Sequence, residues 1–306
     1  LLSEKLVIQS AIINNSLNFK NKTVIPSQIK YFFDLADKYL SFINPKTLSK
    51  KLTRNVKPSK KNKFYNFQNI GMECLRDFHN LMQNNSLQWF VTGGTCLGLA
   101  RHNSLLPHDF DIDVGVFFKK KIHEKLLEVF NKSASFESIK LDYFNNVEFK
   151  KNLWLYKNDP AFLKIVHKNG VNLDIFFHYY VDQGKNIIHG SSAIGWINKS
   201  FNFKNSKIED LDVLHPNPLN KYLREHYGDW SIVKKDFSCS VDTSNIYCSK
   251  SFSGVAINLR RLSPELHYKF PNKKSQLISY IKAGIIKQSK KKLVINRNFF
   301  NVDRTK

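Results

Sequence analysis

Three aspartates spaced two apart, Asp109, Asp111 and Asp113, interrupt the most apolar part of this 306-residue chain. In an extended strand, residues two apart share a face. The run Asp109-Phe110-Asp111-Ile112-Asp113-Val114 is therefore expected to align three carboxylates on one side and to turn Phe110, Ile112 and Val114 toward a core on the other. Carboxylates so aligned repel one another, and a divalent cation removes that penalty. An exposed acidic edge fits poorly, because the chain is short of acid: Lys and Arg number 48 against 25 Asp and Glu, a formal charge of +23. Asp174 stands alone in the apolar run 171–177 and must find a partner there. A metal site shared with the earlier aspartates answers that need; an ion pair with a lysine and a strand end are the alternatives.

Just upstream, Trp89-Phe90-Val91-Thr92 is a short β-rich run that stops at Gly93-Gly94-Thr95. Adjacent glycines let backbone approach a phosphate, and a helix start presents free N–H groups to an anion. Thr95 is expected to cap that helix. Helical periodicity marks 1–48 and 64–81, and 119–131 reads as an amphipathic helix. β-rich pieces follow at 153–156, 162–167 and 171–180, and 217–227 reads as a helix. A basic stretch, 50–63, reads as a solvated linker or anion-binding loop, and after Asp236 the chain turns polar and ends in a tail with Lys287, Lys290, Lys291, Lys292 and Arg297. The expected class is α+β: a sheet domain flanked by helices, with a helical N-terminal region (1–65), a central domain (66–235) and a basic C-terminal extension (236–306).

Composition sets the outer bounds. With 42% hydrophobic and 24% charged residues the chain is a folding one, not a disordered or collagen-like one. No run approaches the roughly 18 apolar residues of a membrane span. The apolar start is broken by Glu4, Lys5, Gln9 and Ser10, and so reads as a helix rather than a signal peptide. The 4 cysteines are scattered without a CxxC pair, which argues against a zinc knuckle or a disulfide framework and suits a reducing compartment. The positive charge attracts polyanions: an anionic polymer, a nucleotide-linked donor, nucleic acid or an acidic membrane surface. A first residue other than Met suits processing, or a piece of a larger multidomain enzyme.

A Gly-Gly turn, an Asp-x-Asp strand and a further strand Asp resemble the layout of the DNA polymerase β-like nucleotidyltransferase superfamily. The resemblance becomes more specific in Phe90-Val91-Thr92-Gly93-Gly94-Thr95-Cys96-Leu97-Gly98, Arg101-His102 and Leu106-Pro107-His108-Asp109-Phe110-Asp111-Ile112-Asp113, which is similar to the LicD/fukutin family. Leu173-Asp174-Ile175-Phe176 resembles that family's Asp-Ile/Val-Phe strand. Val213-Leu214-His215-Pro216 with Tyr222-Leu223 and Tyr227-Gly228-Asp229-Trp230 resembles its closing segment. The likeness runs from 87 to 230 in order. His108 departs from it, standing where a Trp is common.

The resemblance implies a nucleotidyltransferase-type mixed β-sheet and a transferase. The reaction it implies moves a phospho-alditol (ribitol or glycerol phosphate) or phosphocholine group from a CDP-linked donor to a glycan hydroxyl, with release of CMP, as in capsule, teichoic-acid-like or lipopolysaccharide synthesis. It implies Mg²⁺ or Mn²⁺ on Asp111, Asp113 and Asp174, with Asp174 a ligand or the base for the acceptor hydroxyl, and Asp109 metal-binding or donor-orienting. Gly93, Gly94, Thr95, Arg101 and His108 are the expected donor- and phosphate-binding residues. His102 is a candidate acid/base group and Lys164 a candidate phosphate contact, while Tyr227 and Trp230 are expected to pack beneath the site. The acceptor is expected to be anionic, with the basic linker and tail holding it or an acidic membrane surface. The expected compartment is the cytoplasm of a bacterium, at the inner face of its membrane, or the secretory-pathway lumen in a eukaryote. Two alternatives compete: a nucleotidyltransferase acting on nucleic acid, disfavoured by the Gly-Thr-Cys-Leu-Gly run and the absence of an RNA-binding module, and an inactive polymer-binding domain.

Overall fold

The architecture turns on one parallel strand pair. The computed structural model describes residues 2–18, 26–44, 67–150, 153–192, 194–234, 237, 239, 242–247, 250–263, 273–289 and 292–300. Strand β1 (Phe90–Val91) pairs antiparallel with β2 (Asp111–Phe117), and β2 pairs parallel with β5 (Asn172–Val181). A parallel pair needs a long crossover. Here it consists of α5 (Ile122–Asn131) and a hairpin of two 15-residue strands, β3 (Phe136–Lys150) and β4 (Leu153–His167), which returns β4 antiparallel to β5. The far end of β5 pairs with β6 (Asn186–Gly190), which leads to β7 (Gly195–Lys199) and β10 (Ile246–Tyr247). Helices flank this mixed sheet, so the class is α+β, as the residue pattern anticipates.

Helix α3 (Phe67–Asn84) buries Phe67, Gly71, Cys74, Leu75, Phe78 and Met82, one face at helical spacing. Phe78 packs edge-on against Trp89, 5.0 Å away, and stacks with Phe130 of α5 at 6.1 Å. Strand β2 contributes Ile112, Val114 and Val116 to the same core. Gly115 lies where β2 meets Phe90 and His178. A β-carbon there would stand 2.3 Å from the Phe90 ring and 2.8 Å from the His178 ring, so the two aromatic groups meet across the sheet only because the side chain is absent.

Two expectations are revised by the backbone. Strand pairing begins at Asp111, whose partner on β5 is Asn172; Asp109 and Phe110 precede the strand in a loop. Phe110 is therefore not a core residue: it is 58% exposed. The two β-rich pieces 153–156 and 162–167 are one continuous strand, β4, held together by its pairing with β3. Helix α4 (Gly93–His102) follows β1, and α6 (Leu219–Tyr227) follows the hairpin of β8 (Asn202–Ile208) and β9 (Leu211–Asn217).

A second apolar core joins the two ends of the chain. Helices α1 (Leu2–Asn18) and α2 (Pro26–Ser41) pack with α7 (Phe252–Arg261), α8 (Lys273–Lys282) and the hairpin β11 (Ile286–Ser289)–β12 (Lys292–Ile295). At its centre Phe252 stands 5.1 Å from Phe32 and 4.7 Å from Phe300, ring to ring. Arg260 reaches Glu4 at 2.7 Å, and the Ile295 N–H donates to Asp37 at 2.8 Å, so polar contacts also cross between the terminal segments. Within the basic tail, Lys287 and Lys292 lie on this hairpin. The stretch 50–63, Lys290 and Lys291 fall outside the described residues. Among the described residues no helix is long and apolar enough to cross a membrane.

Phe252 is fully buried. Phe252→Ala is expected to cost about 3–5 kcal/mol of unfolding free energy, measured by urea titration. Combined with Phe32→Ala, the loss is expected to be less than the sum of the single losses, because the two rings touch.

Candidate active site

The parallel register brings the key carboxylates together. Asp113 on β2 lies directly beside Asp174 on β5, and Lys164 on β4 lies on the other side of Asp174. Asp111 shares the face of Asp113 two residues away. One carboxylate oxygen from each of Asp111, Asp113 and Asp174 falls within 4.8 Å of the others. Lys164 Nζ stands 3.3 Å from Asp174 Oδ1. The expected phosphate contact of Lys164 is thus a place beside the aspartates, where its ammonium offsets part of their charge.

The glycines carry the second half of the site. Thr92, in extended backbone, is the N-cap of α4, and its hydroxyl bonds the Tyr222 hydroxyl of α6 rather than the helix end. Asp113 supplies the missing cap from the next strand: the Gly94 N–H donates to Asp113 Oδ2 at 2.7 Å, and a negative charge at a helix N-terminus is favourable. A β-carbon on Gly93 would stand 2.3 Å from Asp113 Oδ2, and one on Gly94 would stand 2.6 Å from Asp109 Oδ2. Gly93 also has φ of +49°. The Gly-Gly pair is there so that two carboxylates can close onto the helix start.

Thr95 is not the cap that the sequence suggests. It lies inside the first turn, 2% exposed, and its hydroxyl oxygen accepts from the Asp113 N–H at 2.8 Å. It braces β2 from behind, while Thr92, Gly93 and Gly94 form the wall of the open cavity. That cavity, of about 570 Å³, also takes in Asp109, Asp111, Asp113, Asp174, Arg101 and His108. Arg101 Nε donates to the Trp230 carbonyl at 3.1 Å and its Nη2 to the Trp230 and Ile232 carbonyls, the latter at 3.3 Å, so it fastens the segment that forms the cavity's mouth. His102 is exposed and lies away from the cavity lining. Tyr227 is buried in the core and Trp230 packs against it, as expected, and both also border the cavity.

Burial makes the carboxylates reluctant to ionise together. It pushes Asp109 up to about 7, with the nearby Asp111 charge adding to the effect. Asp174 rises to about 6 through burial, against the pull of Lys164. Burial and the charges of Asp111, Asp109 and Asp174 drive Asp113 well above the usual carboxylate range, and Asp111 is raised by burial as well. A cluster with this much unrelieved repulsion calls for a cation, and an all-carboxylate donor set suits a hard one such as Mg²⁺ or Mn²⁺. The residues present fit that group.

Several site residues carry no signal in their own sequence neighbourhood. Tyr222 reaches Thr92 from 130 positions away, and Phe176, His189, Trp196 and His226 complete the cavity wall. Phe176 could have been found from its place two residues past Asp174. The others come from strands and a helix whose approach to the aspartates only the folded chain reveals.

A carboxylate triad thus faces a Gly-Gly helix start on a mixed sheet. Residues 86–219 match the LicD/FKTN/FKRP nucleotidyltransferase domain, and this part of the chain belongs to the LicD/fukutin family. The chain is similar to the uncharacterized protein RT0683 of Rickettsia typhi, at 25% identity over 160 residues, 52% of this chain and 45% of that protein. It is also similar to the uncharacterized protein RP689 of Rickettsia prowazekii, at 30% identity over 97 residues, 28% of this chain and 36% of that protein. The chain thus spans less than half the length of these relatives. Among solved structures, a lincomycin-bound lincosamide antibiotic adenylyltransferase, LnuA, aligns with 53% of this chain and 89% of its own, at 14% identity and a TM-score of 0.32.

Two outcomes follow from this geometry. Gly93→Ala forces a β-carbon into the Asp113 carboxylate in a left-handed backbone; Mn²⁺ affinity, read by isothermal titration, is expected to fall at least about tenfold. Asp109→Asn is expected to raise the stability of metal-free protein at pH 8 and to leave it little changed at pH 4. The Asp109 carboxyl is raised on folding, so its contribution is present below the unfolded value near 4 and is lost as pH rises toward about 7. Urea unfolding in EDTA at the two pH values checks the sign.

Proposed function

We propose that this chain is a metal-dependent phosphotransferase that moves a substituted phosphate from a CDP-linked donor to a hydroxyl of a glycan, releasing CMP. The observation that carries the reading is the convergence of Asp111, Asp113 and Asp174 beneath a Gly-Gly helix start within a LicD-family domain. Asp111, Asp113 and Asp174 would hold Mg²⁺ or Mn²⁺, which neutralises phosphate charge and stabilises charge on the attacking and leaving oxygens.

The chain's own residues supply the rest. Gly93 and Gly94 line the cavity beside the aspartates, where a phosphate drawn to the metal would lie near backbone. The acceptor hydroxyl oxygen bonds to the donor phosphorus that carries the alditol or choline. The P–O bond to CMP breaks, and the hydroxyl proton passes to a carboxylate. Asp174 and Asp109, which line the cavity beside Asp111 and Asp113, suit that role. The cavity is open, and the exposed Phe110, Ile232 and Val233 on its lining suit the approach of an acceptor that is part of a larger molecule. The formal charge of +23 favours an acceptor that is itself anionic, such as a phosphate-containing polymer, or a location against an acidic membrane surface.

Release of CMP from CDP-ribitol, CDP-glycerol and CDP-choline, each with Mn²⁺ or Mg²⁺ and with a glycan acceptor, tests the reading. CMP from one donor, abolished by EDTA and reduced by at least about a thousandfold in Asp111→Asn and Asp113→Asn, is the expected result. Nucleotide addition to an RNA end, with no CMP release from any donor, would replace this reading with the nucleic-acid one.

A further inference from the structure

Beyond Asp174 the cavity wall continues through Phe176, His189, Trp196 and His226, none of which the chemistry above uses. His189 is 3% exposed and His226 is 4% exposed. The Nδ1 atom of each is buried without a hydrogen-bond partner. Unpaired polar atoms in a protein interior are uncommon and costly; neither ring hydrogen-bonds another described residue, and both rings border the open cavity, where a ligand can meet their free edges.

The two rings are held rigidly. His189 stacks on His178 at 4.3 Å with planes 16° apart, and His178 is itself fixed by the Phe176 carbonyl at 3.0 Å from its Nδ1. Trp196 lies 5.4 Å from His189 and 5.3 Å from His226, and its indole N–H donates to Thr243 at 3.0 Å. Burial holds His226 down to about 3 and His189 well below the ordinary histidine range, so both rings are neutral at pH 7. A neutral imidazole offers one donor and one acceptor.

We propose that His189 and His226, braced by Trp196, form the subsite for the base of the nucleotide donor. The inference rests on the donor reading above and deepens it. A flat heteroaromatic ring matches this wall in shape, since aromatic faces surround it, and in polarity, since its edge carries the neutral donors and acceptors that the imidazoles lack. A polyhydroxylated sugar matches it less well, because none of the four residues Phe176, His189, Trp196 and His226 is a carboxylate or an amide. The position also fits. Phe176 shares the β5 face with Asp174, about 7 Å further along the strand, and its ring is 5.9 Å from His189 and 6.1 Å from Trp196. A nucleotide with phosphate at the aspartates extends its base in this direction.

The test is isothermal titration of the full chain, loaded with Mn²⁺, against CMP and against ribose 5-phosphate, which keeps the sugar and phosphate and lacks the base. CMP is expected to bind at least about tenfold more tightly, and His189→Phe or His226→Phe to remove about tenfold of CMP affinity, the worth of a hydrogen bond to a buried partner. Binding of Mn²⁺ and of ribose 5-phosphate is expected to stay as in the native chain. Equal affinity for the two probes, or variants that bind CMP as the native chain does, overturns the subsite and leaves the donor reading standing. If neither probe binds the Mn²⁺-loaded protein, the donor reading falls and the subsite falls with it. Histidine ring ¹⁵N spectra of the unaltered chain decide the matter if the variants fail to fold. Signals that shift with CMP and not with ribose 5-phosphate support the subsite; identical spectra with the two probes overturn it.

Discussion

Mutual repulsion among buried carboxylates is the constraint to which the rest of this structure answers. Asp111, Asp113 and Asp174 are brought within a few ångströms by the parallel register of β2 and β5. Nothing in that register stabilises three negative charges, and the surrounding elements are arranged to tolerate them. Lys164 stands beside Asp174 from β4, the Gly94 N–H caps Asp113, and the Thr95 hydroxyl fixes the Asp113 backbone. The packing behind the site, Phe78 against Trp89 and Phe130, is what holds the strands close despite the charge. Stability is given up at the carboxylate cluster and recovered in the core beneath it.

Much of the site is legible in the residues themselves. The two-residue spacing of Asp111 and Asp113 survives as a shared strand face, and the lone Asp174 in an apolar run lands beside them, because period-2 alternation and burial are local properties. The Gly-Gly turn is equally readable, although its reason differs: the glycines make room for carboxylates at least as much as for a ligand. Asp109 and Phe110 show where local pattern misleads. They continue the alternation, yet no strand of the sheet pairs with them, so Phe110 faces solvent. Thr95 misleads in a similar way, since a threonine near a helix start usually caps, and here a carboxylate from another strand does so instead.

What the sequence hides is long-range. The Thr92–Tyr222 hydroxyl pair, the approach of His189, Trp196 and His226, and the joining of both chain ends in one core depend on crossings of the chain that no window of residues reports. Helix α1 carries only a weak apolar pattern, and its burial comes from α7, some 240 positions later. The aromatic cluster of Phe32, Phe252 and Phe300 ties this terminal layer together as Phe78 and its neighbours tie the layer beneath the aspartates. This layer is made from the sequence on either side of the family domain.

Helix α4 gives this arrangement a fixed scale. It begins at the Gly-Gly pair over the aspartates and carries in its last turn Arg101, whose guanidinium grips the carbonyls of Trp230 and Ile232. Eight residue steps of α-helix measure about 12 Å. The span from the glycines to the rim segment is thus bridged by a helix rather than by a loop. Adding or removing one turn of α4 would rescale the vessel without touching any reacting group, which makes helix length a dimension along which relatives of this chain can diverge in the size of molecule they accept.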